Sequence, residues 1–357
     1  MSQNKIFQEL SVSVIIPVHR VDKAFSECIN SVINNLREND ELIVIADGVD
    51  SNSLNFHPGP NIRILSTDKV FGPAVARNSG ARIARGDLLF FVDSDVTIQP
   101  AAIQKVVSIF KNDKELKALI GSYDDEPADP NFISQYKNLF HHYIHQTSNE
   151  NASTFWGACG VIRKEIFIAL GGYDENYSQP SIEDIELGYR IVNAGYKILL
   201  CKDLKIKHYK RWGFTSLIKT DFFNRALPWT KLMFRHNRFL NDLNLRSSTR
   251  LSVFLIFLFL LLISGSFWLG ELLMFSLAAL LFVIILNFPL YSFFKKKKGL
   301  WFALKVIPMH WLYLFYSGIA FGWGAILYKS ERSAVRKKTN HSEIYLGKPV
   351  ENPQKYS

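Results

Sequence analysis

Cysteine is scarce in this sequence, which holds three cysteines in 357 residues. Cys28, Cys159 and Cys201 form neither a metal-ligand spacing nor a paired framework. This excludes a disulfide scaffold and a cysteine-based zinc site. We expect all three to be small buried residues in a reducing compartment.

The first residues lack the features of a secretory signal. Residues 1–10 are polar, and the first apolar run, Val12–Val18, is short and contains Pro17. We therefore expect the soluble part of the chain to stay in the cytoplasm.

A glycine-rich dinucleotide motif is also missing. In that motif, Gly-x-Gly-x-x-Gly follows the first strand, whereas here Ile16 is followed by Pro17, Val18, His19 and Arg20. The sequence therefore argues against an oxidoreductase that uses a nucleotide cofactor.

Positive charge is abundant but unevenly placed, and the formal net charge is +10. Between Lys205 and Arg250, eleven Lys or Arg residues stand against two Asp residues, and aromatic residues such as Trp212 and Trp229 are interspersed. Such a block is typical of a segment that lies on anionic lipid head groups. We assign residues 211–250 to a basic aromatic interfacial segment and expect no nucleic-acid partner.

An apolar region, residues 251–328, predicts two or three membrane helices. The run from Leu251 to Gly270 and the run Leu272–Phe294 can each cross a bilayer core, which takes roughly 20 residues. Lys295–Lys298 is typical of a cytoplasmic stop. Ile307–Tyr328 either spans or lies in the interface, because a third span would place the basic tail, residues 329–357, outside.

Residues 1–210 alternate short apolar runs with helical periodicity, which predicts an α/β domain. The expected strands are Val12–Val18, Leu42–Ala46, Ile62–Leu65, Leu88–Val92, Leu116–Ser122, Thr154–Ile162 and Tyr196–Cys201. Helices are expected after Phe25, after Pro73 and after Pro100, and over Pro130–Gln146, Lys164–Leu170 and Ile182–Asn193. We expect a mixed or parallel sheet with helices on both faces and a ligand beyond the carboxyl ends of its strands.

Two acidic pairs carry the functional argument. Asp93 and Asp95 follow a buried strand, where two carboxylates two positions apart can face one pocket and hold a divalent cation. Alone, such a pair is often a solvated turn. Glu183 and Asp184 begin a predicted helix, where acids also serve as caps; the functional alternative makes Asp184 a general base.

Other residues have a structural and a functional interpretation. Asp47 is either a turn residue or an acceptor for a nucleotide base, and Arg77 is either a surface arginine or a phosphate contact. His208 is either structural or a metal ligand. The segment around Trp156 and Gly157 is either a glycine-broken strand or a backbone-lined wall for a sugar.

The order of these motifs is more specific than any one of them. They are Val14-Ile15-Ile16-Pro17, Asp47-Gly48, Ala76-Arg77-Asn78-Ser79-Gly80, Asp93-Ser94-Asp95, Gly171-Gly172-Tyr173-Asp174-Glu175 and Glu183-Asp184. As a set, over residues 11–208, they resemble the family 2 glycosyltransferases. The resemblance implies a Rossmann-like GT-A fold, a nucleotide-sugar donor, and inverting, metal-dependent transfer.

The resemblance also implies roles for individual residues. Pro17 and Asp47 would line the nucleoside pocket, and Arg77 would contact the nucleotide. Asp93 and Asp95 would hold the diphosphate and a manganese or magnesium ion, which His208 would approach. Asp184, beside Glu183, would be the catalytic base. Trp156, Gly157 and Trp229 are assigned to the acceptor side.

Two departures from the family pattern narrow the expected activity. The usual aspartate pair after the second strand is here Ala46-Asp47, and the Gln-x-x-Arg-Trp segment of processive synthases has only a distant counterpart in Asn224–Trp229. We expect transfer of one or a few sugars to a lipid carrier, glycolipid or surface glycan precursor. We also expect Pro228 to interrupt any helix there. The alternative is an inactive membrane-anchored protein that binds a nucleotide sugar or acts as a scaffold.

Overall fold

The computed structural model describes residues 9–54, 56, 59–239 and 241–346. Across these residues, nine strands form one sheet. They are β1 Val12–Val18, β2 Glu41–Asp47, β3 Ile62–Thr67, β4 Leu88–Val92, β5 Val96–Ile98, β6 Ala118–Tyr123, β7 Asn151–Ala152, β8 Cys159–Arg163 and β9 Ile198–His208.

The helices of the first two thirds of the chain are α1 Lys23–Ile33, α2 Pro73–Ile83, α3 Ala102–Asn112, α4 Phe132–Thr147, α5 Lys164–Ala169 and α6 Glu183–Asn193. Next come α7 Phe214–Lys219, a π-helical segment Thr220–Ala226 and α8 Leu227–Arg235. The apolar region holds α9 Ser247–Gly265, α10 Leu272–Leu286, α11 Phe288–Lys298 and α12 Leu300–Leu346. Short 3₁₀ turns lie at Ser51–Leu54 and Leu243–Leu245.

The sheet is mixed, in the order β3-β2-β1-β4-β8-β6-β9-β5, with β7 paired to β9. Strands β1 to β4 run parallel where they pair, whereas β8 is inserted antiparallel between β4 and β6. This confirms the predicted α/β class. Because β1, β2 and β4 are parallel, their carboxyl ends meet at one edge of the sheet, where the predicted site residues follow them.

Helices cover both faces of the sheet, because its central strands are apolar on both sides. Along β1, Ile15 contributes to one core with residues of α2, α4 and α6, while Val14 and Ile16 face the other core, with α1 and α3. Cys28 and Cys159 are buried, as expected, and Cys201 is partly buried.

Two predictions about the middle of the chain are wrong. The strand predicted over Thr154–Ile162 begins only at Cys159, because residues 154–158 form turns. Pro228 does not interrupt the helix: α7, the π-helical segment and α8 follow one another without a break. Since proline has no N–H for the carbonyl of Asn224, the hydroxyl of Ser181 donates to that carbonyl at 2.8 Å.

The apolar region contains two helices long and apolar enough to cross a membrane, and up to three if a bent pair counts as one span. The two are α9 and the stretch Leu300–Ala334 of α12. The predicted span Leu272–Phe294 is instead broken into α10 and α11, which meet at 58°. Pro289, at the start of α11, suits such a break.

Helix α11 packs against the α/β domain. Its residues Leu290, Tyr291 and Phe294 are buried in the same core as α4, and the Phe294 ring stacks 5.9 Å from that of Tyr136. Lys297 also forms an ion pair with Asp125. The two parts of the chain therefore share one hydrophobic core.

Gly188 tests how closely α6 packs on the sheet. A Cβ at this position would lie 2.2 Å from the backbone nitrogen of Phe155, which cannot move without shifting the 154–158 turn. We expect Gly188→Ala to lower the free energy of unfolding by about 1–3 kcal/mol, the usual effect of overpacking. Thermal unfolding in detergent would show this as a lower Tm.

Gly322→Ala is the matched control for that experiment. Gly322 is also helical, but a Cβ there meets no heavy atom within 4 Å, so the Tm should stay the same or rise slightly. An unchanged Tm in Gly188→Ala would contradict the close approach of α6 to the turn.

Candidate active site

The site lies at the edge of the sheet where β1, β2 and β4 end. Asp93 and Asp95 follow β4, and His208 is the last residue of β9, paired with Val96 of β5. Glu183 and Asp184 are the first residues of α6. The predicted acidic groups are thus contributed by separate elements that converge on one edge.

Arg77 joins the two acidic pairs. It projects from α2, is 4% exposed, and donates from Nη2 to Oδ1 of Asp93 at 2.7 Å and from Nη1 to Oε1 of Glu183 at 2.9 Å. Glu183 is itself buried and accepts a second bond from the backbone N–H of Ser181 at 3.0 Å. Arg77 is therefore a buried bridge rather than a surface residue, and it sets the distance between β4 and α6.

The carboxylate of Asp184 is held by two backbone donors. Its Oδ2 accepts from the N–H of Gly157 at 3.0 Å, and its Oδ1 accepts from the N–H of Ile185 at 2.8 Å. Burial, together with the negative charge of Glu183, raises the pKa of Asp184 to about 6, although Gly157 and Arg77 oppose the shift. Such a carboxylate is ionised at neutral pH yet basic enough to accept a proton.

Gly157 lets the 154–158 turn approach Arg77. A Cβ at this position would lie 3.0 Å from the Arg77 guanidinium carbon, closer than ordinary contact. The absence of a side chain at Gly157 thus keeps Arg77 and Asp184 close together. Trp156, beside it, packs edge-on against Tyr123, with ring centroids 4.7 Å apart.

Asp95 and His208 form a second polar pair. The distance from His208 Nε2 to Asp95 Oδ2 is 3.4 Å, and His208 Nδ1 lies 3.1 Å from Oδ1 of Asn138. Burial would raise the pKa of Asp95, but the charge and hydrogen bond of His208 outweigh it, so this pKa lies below the usual value. Asn138 thus orients the imidazole so that Nε2 faces the carboxylate.

The donor set of this pair fits a divalent cation only in part. Within the described ranges, no group of three or more His, Cys, Asp or Glu side chains is arranged to hold a metal. Asp95 and His208 supply one oxygen and one nitrogen, and sites for magnesium or manganese commonly combine one or two protein ligands with phosphate oxygens. Asp93 accepts from Arg77 through Oδ1, and its predicted metal contact stays a prediction.

The carboxylate of Asp47 accepts hydrogen bonds from the backbone. It is 4% exposed, and its two oxygens accept from the N–H groups of Phe71 and Gly72 at 2.8 and 2.9 Å. It therefore holds the loop that leads into α2. Pro17 lies within β1, paired with Ile45, and is partly exposed. Their predicted contacts with a nucleoside stay predictions.

A cavity of about 770 Å³ opens beside Asp184. Trp156 and Trp229, both predicted for the acceptor side, line it. Four charged residues that the sequence did not single out also line it: Lys137, Asp221, Arg225 and Arg250. Asp221 could have been noticed in the sequence, because it is one of only two acidic residues in the basic block 205–250. No feature of the sequence pointed to Lys137.

Two family models and several known proteins are similar to parts of this chain. Residues 13–171 match the family model described as glycosyl transferase family 2, and residues 138–213 match the model described as N-terminal domain of galactosyltransferase. The glucosyl-dolichyl phosphate glucuronosyltransferase of Haloferax volcanii is 20% identical over 221 residues, which cover 56% of this chain and 69% of that protein.

Two further proteins are similar over parts of their length. Glycosyltransferase GlyG of Streptococcus pneumoniae is 28% identical over 127 residues, which cover 34% of this chain and 42% of GlyG. A crystal structure of GalNAc-T7 with UDP, GalNAc and Mn2+ superposes with a TM-score of 0.49 at 16% identity, covering 69% of this chain and 51% of that one. This chain thus spans about half or less of these two proteins.

Arg77→Gln tests the bridge between the acidic pairs. It would leave the buried carboxylate of Glu183 without its cation, and removing one partner of a buried pair costs about 3–5 kcal/mol. We expect a clearly lower Tm by thermal unfolding in detergent.

The matched control for Arg77→Gln lies on the same helix. Arg82 is 62% exposed and pairs with the exposed Glu175, so Arg82→Gln should change the free energy of unfolding by less than about 1 kcal/mol. Equal Tm values for the two variants would show that the Arg77 bridge is not needed for stability.

Proposed function

Because residues 13–171 match the family model described as glycosyl transferase family 2, we propose that the chain moves a sugar, with inversion, from a nucleoside-diphosphate sugar to a membrane-associated acceptor. The observation that carries this proposal is the convergence of Asp93, Asp95, Asp184 and His208 at one sheet edge, beside a cavity. The candidate membrane helices that follow in the chain support a membrane-associated acceptor.

The donor occupies the side of the site formed by β1, β2 and β4. Arg77 stays bonded to Asp93 and Glu183 and thereby keeps the strand end and the helix start on this side together. Pro17 and Asp47, at the ends of β1 and β2, border the nucleoside.

Asp95 and His208, with the diphosphate oxygens, would hold a manganese or magnesium ion. Such an ion, when bound, neutralises the charge that develops on the leaving diphosphate. The role of the protein is to fix the imidazole through Asn138 and to hold the carboxylate of Asp95 beside it.

Asp184 acts as the general base. As the acceptor oxygen attacks the anomeric carbon from the face opposite the diphosphate, the bond to the diphosphate oxygen breaks and the nucleoside diphosphate leaves with the electron pair. Asp184 takes the proton of the acceptor hydroxyl. The backbone N–H groups of Gly157 and Ile185 keep its carboxylate in place.

The catalytic domain lies on the cytoplasmic side in this proposal. The supporting observation is the basic run Lys295–Lys298 at the end of α11, which sits against the domain through the pair between Lys297 and Asp125. Positive residues next to membrane helices favour the cytoplasmic side.

Asp184→Asn tests the proposal directly. Purified protein would be screened against a panel of nucleotide sugars with manganese, and release of nucleoside diphosphate would be measured with a membrane extract as the acceptor source. The substitution removes the base, so we expect transfer to fall by about 10²–10⁴-fold, while the thermal shift caused by donor and manganese is retained.

Asp203→Asn serves as the control, since Asp203 is exposed and lies outside the site. Two outcomes would contradict the proposal. Unchanged turnover in Asp184→Asn removes Asp184 from its role, and donor binding without any transfer in the parent protein identifies an inactive binding protein.

The pH dependence of transfer follows from the raised pKa of Asp184, which is about 6. Only the ionised carboxylate accepts a proton, so activity should be near its plateau above pH 7 and fall about tenfold for each pH unit below about pH 5. The measurement is the initial rate at saturating donor. A profile that is flat between about pH 4 and pH 7 would contradict this assignment.

A further inference from the structure

Helix α12 packs on the α/β domain from its first turn onwards. The ring centroid of Phe302 lies 5.0 Å from that of Phe132 at the start of α4, and Tyr313 lies 5.2 Å from Phe140 of the same helix. The core that α4 shares with the sheet also buries Ala303, Val306 and Met309. The first half of α12 therefore runs along a helix of the α/β domain.

The second half of α12 stays against the same part of the protein. The hydroxyl of Tyr316 donates to Oδ2 of Asp221, in the π-helical segment, at 2.9 Å. The same carboxylate accepts from Lys137 of α4. Further along, the Tyr328 ring stacks 5.7 Å from that of Phe234 in α8. Contact thus passes from α4 to the π-helical segment and then to α8.

Helix α8 is itself fixed to the α/β domain. Its residues Leu232 and Met233 share a buried cluster with Ile182 and with Tyr189 of α6. Near the far end of α12, Glu331 forms an ion pair with Lys231 of α8 at 2.6 Å.

The length of α12 makes these contacts informative. From Phe302 to Glu331 the helix extends for about 44 Å, which exceeds the bilayer core of about 30 Å. If this stretch crossed a membrane, one of its ends would leave the side on which the α/β domain lies. Both ends instead contact elements that pack on that domain.

The opposite face of α12 is apolar and exposed. Trp301 is 79% exposed and Ile326 is 68% exposed. Exposed side chains recur on this face at intervals of three or four residues, which is the helical repeat. They are Trp301, Leu304, Pro308, Ile319, Trp323 and Ile326. A continuous apolar surface of this kind marks a place that water does not cover. We call these six residues the outer stripe.

The helix pair α9–α10 packs against the middle of the same face. Trp311 and Phe315, which continue the outer stripe between Pro308 and Ile319, lie against a cluster that includes Ile256 of α9 and Val283 of α10. The Phe315 ring stacks 5.5 Å from that of Phe257. Helix α12 is therefore a layer between the α/β domain and the α9–α10 pair.

Both ends of α12 are basic. Exposed lysines, Lys295, Lys296 and Lys298, precede it at the end of α11, and the exposed Lys329 and Arg332 lie near its end. Positive residues beside apolar helices favour the cytoplasmic side, so a crossing would place one of these groups on the unfavourable side. Cations at both ends of an apolar stripe also match the anionic head groups of one leaflet.

We propose that α12 lies in the plane of the membrane surface and does not cross the bilayer. Its inner face rests on the α/β domain, its outer stripe contacts the lipids of the adjacent leaflet, and its basic end at Lys329 and Arg332 stays on the side of the domain. The α9–α10 pair enters the bilayer more deeply. Length and hydropathy alone would allow α12 to span, but they take no account of the contacts along its inner face. This topology is independent of the transfer reaction.

The sidedness of two single cysteines tests the proposal. The full chain would carry Cys201→Ser, since Cys28 and Cys159 are buried. To it would be added either Ser333→Cys, exposed near the end of α12, or Glu126→Cys, at a side chain that is 77% exposed on the α/β domain.

Sealed membrane vesicles of each orientation would be treated with a membrane-impermeant maleimide, and the labelled fraction would be measured. We expect both cysteines to react in vesicles of one orientation and both to be protected in the other. Reaction of the two cysteines in opposite orientations would overturn the proposal.

Depth along the outer stripe gives an independent measurement. Nitroxide labels on Leu304→Cys, Ile319→Cys and Ile326→Cys would be compared by their accessibility to oxygen and to a water-soluble nickel chelate. A helix in the membrane plane keeps all three at one depth, about 5–10 Å into the boundary between head groups and acyl chains. A spanning helix would separate Leu304 from Ile326 by about 33 Å and place Ile319 about 10 Å deeper than either.

Leu261→Cys is the matched control for depth, because Leu261 is an apolar residue that is 70% exposed on α9. Its label should lie deeper than the three labels on α12. A label on Ile319→Cys that lies deeper than those on both Leu304→Cys and Ile326→Cys would show that α12 spans and would refute the in-plane position.

Discussion

The candidate site depends on one buried guanidinium. Arg77 ties Asp93, at the end of a central strand, to Glu183, at the start of a helix more than a hundred residues later. Without this cation, two carboxylates would face each other in poorly solvated surroundings, and repulsion would push the strand and helix apart. Asp184 follows Glu183 directly, so the position of the proposed base is set by a neighbour that itself contacts no substrate.

The turn before the antiparallel strand β8 forms a second side of the site. Because β8 lies beside β4 in the sheet, the turn before it, residues 154–158, is brought over Arg77. At that point a Cβ on Gly157 would lie 3.0 Å from the guanidinium carbon, tighter than an ordinary contact, and the same residue donates its N–H to Asp184. The basicity of Asp184 and the packing of Arg77 therefore depend on one short segment.

Local pattern was enough to predict the strands up to β4, the acids after them and the start of α6, since burial and hydrogen bonding there follow neighbours in sequence. It could not predict which residues pair across long separations, such as Lys137 with Asp221, 84 positions apart. The prediction for Pro228 failed because a hydroxyl from another segment compensates the lost donor. The break between α10 and α11 was missed because hydropathy alone does not register a bend.

The packing of α11 into the α/β core has a mechanical consequence. Phe294 and Tyr136 lie in one continuous core rather than in two domains joined by a flexible tether. The candidate site is therefore held at a fixed height and tilt relative to the helices that are long and apolar enough to cross a membrane. In the proposed function, the acceptor hydroxyl has to reach that height, so its depth in the membrane would help to select one amphiphile over another of similar chemistry.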